Sequence, residues 1–277
     1  KNKKKNYKKM KNKQRDNSNI QKIYQDIYHK EKSNFFSRFV DGIDTSETNQ
    51  IVLDSIDWND KTVLDLGCGT GDVSAMIAEQ GGAKLVTGID YVDSAIRKAK
   101  EGHTLHNLDF SVSSIEDWSK KSEVVVSLGV LEHMDDPERT LKHMINLVES
   151  KGIIVITCPY FLNIRGYVWM TLVNLLDVPM SLTDLHYISP FDIEKWLIDT
   201  PMKLEKVQLF DHDRSNGFGM IVDMKKRLFN ALSDANLPNH KVETMISWLE
   251  NVIEYQNRNT KIESNGANAL YIIKPKK

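Results

Sequence analysis

Cysteine is scarce in this chain of 277 residues, with only Cys68 and Cys158 present. Two thiols build no disulfide framework, and their scarcity suggests a reducing compartment, read here as the cytoplasm. No long apolar run occurs either. The longest mostly apolar stretch, Tyr167 to Leu176, is too short to span a bilayer, and Arg165 sits just before it. No signal-peptide pattern opens the sequence, and no repeat recurs at solenoid periods. With 14 glycines, 7 prolines, 40% hydrophobic and 27% charged residues, collagen-like and disordered classes are excluded. Net charge is nearly absent, at −1, but it is unevenly spread. Residues 1–15 hold nine Lys and Arg and no acid, so the remaining 262 residues carry −10. The basic stretch, residues 1–17, reads as a solvated disordered tail, or as an arm for nucleic acid or an anionic membrane. The acidic body does not read as a DNA-binding domain.

What is present is a rhythm of strands and helices. Ile20, Ile23, Tyr24, Ile27 and Tyr28 recur at helical spacing ahead of the core, and Glu47 to Ile56 predicts a second helix. Short apolar strands are expected at residues 61–66, 84–89, 108–112, 123–128 and 153–157. Helices are expected between them at residues 73–80, 93–100 and 137–148, the last opening on Pro137. The strand at 153–157 is almost uniformly apolar, which predicts a central, parallel position. Beyond Pro159 come an apolar helical stretch to Leu176, a loop at Asp184–Pro190, and a helix at 191–198. Strands at 203–210 and 269–273 follow, with two helices between them. The expectation is a doubly wound α/β sheet with helical additions. It forms one domain over residues 18–277, with core 58–160, helical insert 161–190 and helical cap 214–260.

The chemistry gathers at Val63-Leu-Asp-Leu-Gly67-Cys-Gly69-Thr-Gly71, which follows a strand and opens a helix. Glycines permit unusual φ values and close approach of a ligand, and parallel α/β sheets bind ligands at this edge. A dinucleotide fingerprint needs G-x-G-x-x-G, whereas this run is G-x-G-x-G followed by Asp72. An acid there opposes a pyrophosphate, and Asp65 inside the strand suits a cationic ligand. Both fit a sulfonium nucleoside with an amino-acid tail. Asp90 ends the second strand, where ribose hydroxyls are read.

Four elements in order make residues 61–159 resemble the class I S-adenosylmethionine-dependent methyltransferases of the small-molecule group. They are Leu64–Gly71, Gly88-Ile-Asp90, Ser113-Ser-Ile-Glu-Asp117 and Ser127-Leu-Gly-Val-Leu-Glu-His133. The resemblance implies a Rossmann-like seven-stranded sheet and S-adenosyl-L-methionine as cofactor. By that resemblance Asp65, Gly67, Cys68, Gly69 and Gly71 frame the methionine portion. Asp90 takes the ribose hydroxyls, Tyr91 packs at the adenine, Ser114 and Ile115 form the adenine edge, and Leu128 offers backbone near the methionine amine. The family often has Asp where Ser114 stands. It also often carries a helix that closes over the cofactor, a place that Tyr24 and Tyr28 would line.

For a hydroxyl acceptor a base helps, and His is the commonest choice. His133 follows the fourth strand, and His186 sits in the Asp184–Pro190 loop beside Asp184. Both are candidate catalytic residues, each also readable as structural. Glu132 and His133 match part of a Glu-x-x-Glu-His metal site of related enzymes, but Gly129 replaces the first Glu, so no required metal is expected. The Asn/Asp-Pro-Pro-Tyr motif of DNA amino-methyltransferases is missing, and Cys158-Pro159 reverses the Pro-Cys order of cytosine-C5 enzymes. The expected acceptor is therefore a small molecule, methylated on a hydroxyl oxygen of a sugar, lipid-linked or quinone-like metabolite. RNA methylation and a non-catalytic cofactor-binding subunit are the alternatives.

Overall fold

A computed structural model of the chain describes residues 46–178, 180, 184–259 and 265–276. The expected basic tail and the helix with Tyr24 and Tyr28 lie outside the described residues.

Helix α1 (Ser46–Leu53) leads into a repeating strand–helix unit: β1 (Thr62–Leu66), α2 (Asp72–Glu79), β2 (Leu85–Asp90), α3 (Asp93–Gly102) and β3 (Leu108–Val112). The order continues with β4 (Ser122–Leu128), a short turn of helix at Leu131–His133, α4 (Pro137–Leu147) and β5 (Val148–Pro159). The second half contains α5 (Ile164–Leu176), α6 (Pro190–Trp196), β6 (Met202–Phe210), α7 (His212–Asn216), α8 (Phe218–Asp234), α9 (Val242–Asn259) and β7 (Asn268–Pro275).

The seven strands form one sheet in the order β3-β2-β1-β4-β5-β7-β6. The order reverses between β1 and β4, which opens a crevice at the carboxyl ends of the strands. Strands β1 to β5 pair in parallel, whereas β7 runs antiparallel to both β5 and β6. The apolar run of β5 is therefore central but has one parallel neighbour, not two. Its uniform hydrophobicity reports burial on both faces and is silent about direction. Because β7 alone is reversed, its start at Asn268 meets the end of β5 at Pro159 and the end of β6 at Phe210. All three points lie on the carboxyl edge.

Two layers of buried side chains sandwich the sheet. Leu64, Leu66, Leu141 and Ile156 belong to one, and Val63, Ile77, Val86 and Val155 to the other. Successive residues of β1 enter opposite layers, as a period of two requires. Helix starts are pinned by side chains. Asp136 accepts from Arg139 N at 2.9 Å, with Pro137 at the first helical position. Asn163 accepts from Gly166 N at 2.7 Å at the head of α5. A third cluster, with Trp169, Met220, Met224 and Leu249, joins α5, α8 and α9 into a helical cap.

Candidate active site

The loop after β1 carries three glycines at positive φ: Gly67 at 77°, Gly69 at 55° and Gly71 at 82°. At Gly67 a Cβ would meet Val130, and at Gly71 it would meet Phe110. These two glycines thus serve left-handed backbone and tight internal packing at once. The Gly67 and Cys68 amides donate to the Ile89 carbonyl at 2.8 and 3.0 Å, drawing the loop over the end of β2.

Asp90 closes this arrangement. Its Oδ2 accepts from Gly69 N at 3.1 Å and its Oδ1 from Val92 N at 2.8 Å. Burial raises its pKa, opposed by those amide hydrogen bonds. Asp65 lies deeper, 3% exposed, and accepts from Ser74 Oγ of α2 at 2.5 Å. Burial pushes its carboxyl up to about 6, with Asp90 adding repulsion and Ser74 opposing. Cys68 beside them is a thiol held far from ionisation by burial and the two acids.

Two buried carboxyls with raised pKa values make a site hungry for positive charge. That is the fit expected for a ligand with a sulfonium and an ammonium group, and the opposite of a pyrophosphate cradle. Asp72 at the head of α2 is not a free acid: Thr70 Oγ1 donates to it at 2.6 Å and His103 Nε2 lies 3.3 Å away.

The remaining predicted cofactor residues line the same edge. Tyr91 follows Asp90, is 37% exposed, and its hydroxyl is pushed up to about 12 by burial and then Asp90. Ser113 N donates to the Asp90 carbonyl at 3.0 Å, which brings Ser114 and Ile115 alongside β2. Ser114 Oγ donates to Asp117 at 2.7 Å, and Ile115 is buried in the core. Leu128 ends β4, and Gly129 after it turns at φ 65° with its amide on the Thr157 carbonyl at 3.0 Å.

Beyond β4 the structure assembles a second group. Asp184 Oδ1 lies 3.5 Å from His133 Nδ1, and Glu132 Oε1 lies 4.0 Å from His133 Nε2. The sequence order suggested Asp184 beside His186. Instead the loop folds back, with Leu185 N and His186 N donating to the Glu132 carbonyl at 2.8 and 3.0 Å. That delivers the Asp184 carboxylate to His133, while His186 Nε2 meets the Asp135 carbonyl at 3.1 Å. Glu132 is 4% exposed, and burial pushes its carboxyl up to about 7, with His133 opposing. Cys158 of β5 is its hydrogen-bonding neighbour, and Glu132 Oε2 is sealed without a partner. The pairing of Asp184 with His133 was invisible in the sequence because two helices and a strand separate them. Glu132 had one signal, its position next to His133. No group of three or more metal-ligating side chains suited to an ion occurs among the described residues.

Residues 58–186 match a family described as "Methyltransferase domain". A ubiquinone biosynthesis O-methyltransferase of Saccharophagus degradans is 28% identical over 162 residues, covering 53% of this chain and 66% of that protein. One of Escherichia coli is 29% identical over 156 residues, covering 52% and 62%. The match thus spans just under two-thirds of those relatives' own length. Among solved structures, a chain from the complex of the Haloferax volcanii Trm112 methyltransferase activator with a methyltransferase superposes with TM-score 0.58 at 13% identity, covering 92% of this chain and 98% of that one. Magnesium protoporphyrin IX methyltransferase from Synechocystis with bound SAH gives TM-score 0.51 at 20% identity, covering 68% and 92%.

Proposed function

We propose that the chain is a class I S-adenosylmethionine-dependent methyltransferase that methylates a hydroxyl oxygen of a small molecule, a reading supported by the match of residues 58–186 to a methyltransferase domain. The cofactor is S-adenosyl-L-methionine, which when bound supplies an electrophilic methyl on a sulfonium. The Asp65 carboxylate and the Gly67–Gly71 backbone hold its methionine portion. Asp90 reads the ribose, and Tyr91, Ser114 and Ile115 border the adenine. Leu128 offers its carbonyl to the amine.

The observation that carries the oxygen acceptor is the His133 imidazole set between Asp184 and Glu132 at the carboxyl end of β4. Asp184 fixes the ring with its proton on Nδ1, leaving Nε2 as the acceptor of a proton from the substrate hydroxyl. The relatives named as O-methyltransferases support the same atom. His186 keeps the Asp184 loop closed through the Asp135 carbonyl and serves position more than proton transfer. Both described cysteines are free thiols, which supports a cytoplasmic setting. Among the described residues no helix is long and apolar enough to cross a membrane.

Calorimetric titration with S-adenosylhomocysteine tests the cofactor site. Wild type binds saturably, and Asp90→Ala loses at least a hundredfold in affinity while remaining folded, with a melting temperature lowered by the loss of its two amide hydrogen bonds. Equal binding by the variant removes Asp90 from the site. Failure of wild type to bind defeats the methyl-transfer reading.

A further inference from the structure

The cap holds a second charged cluster that methyl transfer leaves unused. Arg165, in the first turn of α5, is 8% exposed, and its Nε donates to Asp223 Oδ2 at 3.1 Å. Arg227 of α8 gives Nη1 to the same carboxylate at 3.2 Å and Nη2 to the Met180 carbonyl, and its guanidinium lies over the Trp169 ring, 5.1 Å from the centre. Among the described residues, two guanidinium groups share one carboxylate, leaving a surplus positive charge under cover. Burial lowers the pKa of Arg165, with Asp223 opposing. Three sealed donors of the cap lack a partner among the described residues, Trp169 Nε1, Arg227 Nε and Asn216 Nδ2, against one sealed acceptor atom, Gln256 Oε1 of α9. Asn216 belongs to the same cluster, since its Oδ1 accepts from Ile164 N at 3.4 Å. Nη1 and Nη2 of Arg165 have no partner among the described residues, and its side chain keeps 10% of its surface open.

Position matters as much as charge. Asn163 Nδ2 donates to the Tyr160 carbonyl at 3.1 Å and to the Gly266 carbonyl at 2.7 Å. This ties the head of α5 to the carboxyl edge of β5 and β7. From there Phe161 packs edge-on against Tyr187, with ring centres 5.5 Å apart, and Tyr187 lies on the loop that brings Asp184 to His133. One run of contacts links the imidazole to the arginines.

Surplus buried donors with one unit of uncompensated positive charge are complementary to an oxyanion, and the planar fork of arginine matches carboxylate and phosphate. We propose that Arg165, with Arg227 behind it adding positive charge, receives an oxyanion carried by the methyl acceptor, which makes the acceptor an anionic hydroxy compound. The inference rests on the methyl-transfer reading for the ligand's identity as acceptor.

The test is calorimetry on the full chain loaded with S-adenosylhomocysteine, using benzoate, phenyl phosphate and neutral benzamide as probes. Benzoate or phenyl phosphate binds saturably, the better of the two naming the anion, and benzamide does not. Arg165→Met weakens the anion at least tenfold with cofactor affinity unchanged. Asp223→Asn, which removes the competing internal carboxylate, strengthens it. Should Arg165→Met fail to fold, Arg165→Lys keeps the charge, loses the fork and still weakens the anion. Absence of anion binding in wild type, with both Arg165→Met and Asp223→Asn merely lowering the melting temperature, identifies a structural ion triad and overturns the proposal. Loss of cofactor binding in wild type strikes the methyl-transfer reading instead, and the anion titration then reads on the unloaded chain.

Discussion

Asp65 offers a quantitative test of why a buried acid is kept where no protein cation meets it. Its carboxyl moves from 3.8 to about 6 in the fold, with burial the leading cause. At 1.36 kcal/mol per unit, ionised Asp65 destabilises the unliganded fold by about 3 kcal/mol. A raised acid pKa means that stability is intact below pH 3.8 and falls as pH rises through about 6. Asp65→Asn keeps an acceptor for Ser74 Oγ and removes the charge. Relative to wild type, the variant therefore gains about 3 kcal/mol at pH 8, about half that at pH 5, and nothing near pH 3. Urea unfolding of both proteins across this range measures the difference. The contribution of Glu132, which shifts the same way, cancels because both proteins carry it. In wild type, the ammonium of the ligand's amino-acid tail offsets the penalty, so S-adenosylhomocysteine affinity rises with pH through about 6. In Asp65→Asn that rise disappears. A stability difference independent of pH refutes the reasoning, because the cost would then belong to shape and not to charge.

Three shorter tests bear on neighbouring features. Gly71→Ala combines a left-handed backbone with a collision against Phe110, so it costs about 2–4 kcal/mol by thermal unfolding and weakens the cofactor in parallel. Tyr271→Phe removes a buried hydroxyl without a partner from the centre of β7, and the melting temperature stays level or rises, corresponding to about 0–2 kcal/mol. Asp184→Asn leaves His133 in place without its carboxylate, and kcat falls about 10²- to 10⁴-fold with a shifted pH–rate profile while KM for the cofactor is unchanged.

Much of the fold was legible in the sequence because its first half follows local rules. Short apolar strands alternate with helices, and Pro137 and Asp136 announce the start of α4 through capping alone. The direction of β7 was not legible. Parallel and antiparallel pairing place the same apolar residues on the same two faces, so the pattern from Ala269 to Ile273 carries no sign of direction. The glycine loop with Asp65 and Asp90 was legible as a candidate site because an acid inside an apolar strand, as at Asp65, is costly without a ligand or partner. The partners of His133 were less so. Asp184 reaches it through backbone hydrogen bonds of Leu185 and His186 to the Glu132 carbonyl, and backbone groups leave no trace in residue type. The Arg165–Asp223–Arg227 cluster was hidden for a related reason. Arg165 looked like a charged flank to an apolar run, and only the packing of α5 on α8 brings Asp223 to it.

Acids gather at the strand ends and paired arginines in the helical cap, and on the proposed reading this division orients the acceptor. Asp65 and Asp90 stand at the ends of β1 and β2 and Glu132 in the turn after β4, whereas Arg165 and Arg227 stand on α5 and α8. An acceptor with an anionic end is repelled by the first group and drawn to the second. For unit charges about 10 Å apart in a medium of effective dielectric about 20, each such interaction is worth about 1.7 kcal/mol. Reversing the acceptor exchanges attraction for repulsion, so the preference between its two orientations reaches about 3 kcal/mol, more than a hundredfold. On the proposed reading, the hydroxyl end is thereby directed toward His133 before any contact with the hydroxyl is made. Positioning of this kind raises the fraction of bound acceptor poised for in-line attack, which is where a methyltransferase gains most of its rate. It also separates two roles that one residue could not fill, since a cation placed beside His133 would disfavour the protonated imidazole that proton transfer requires.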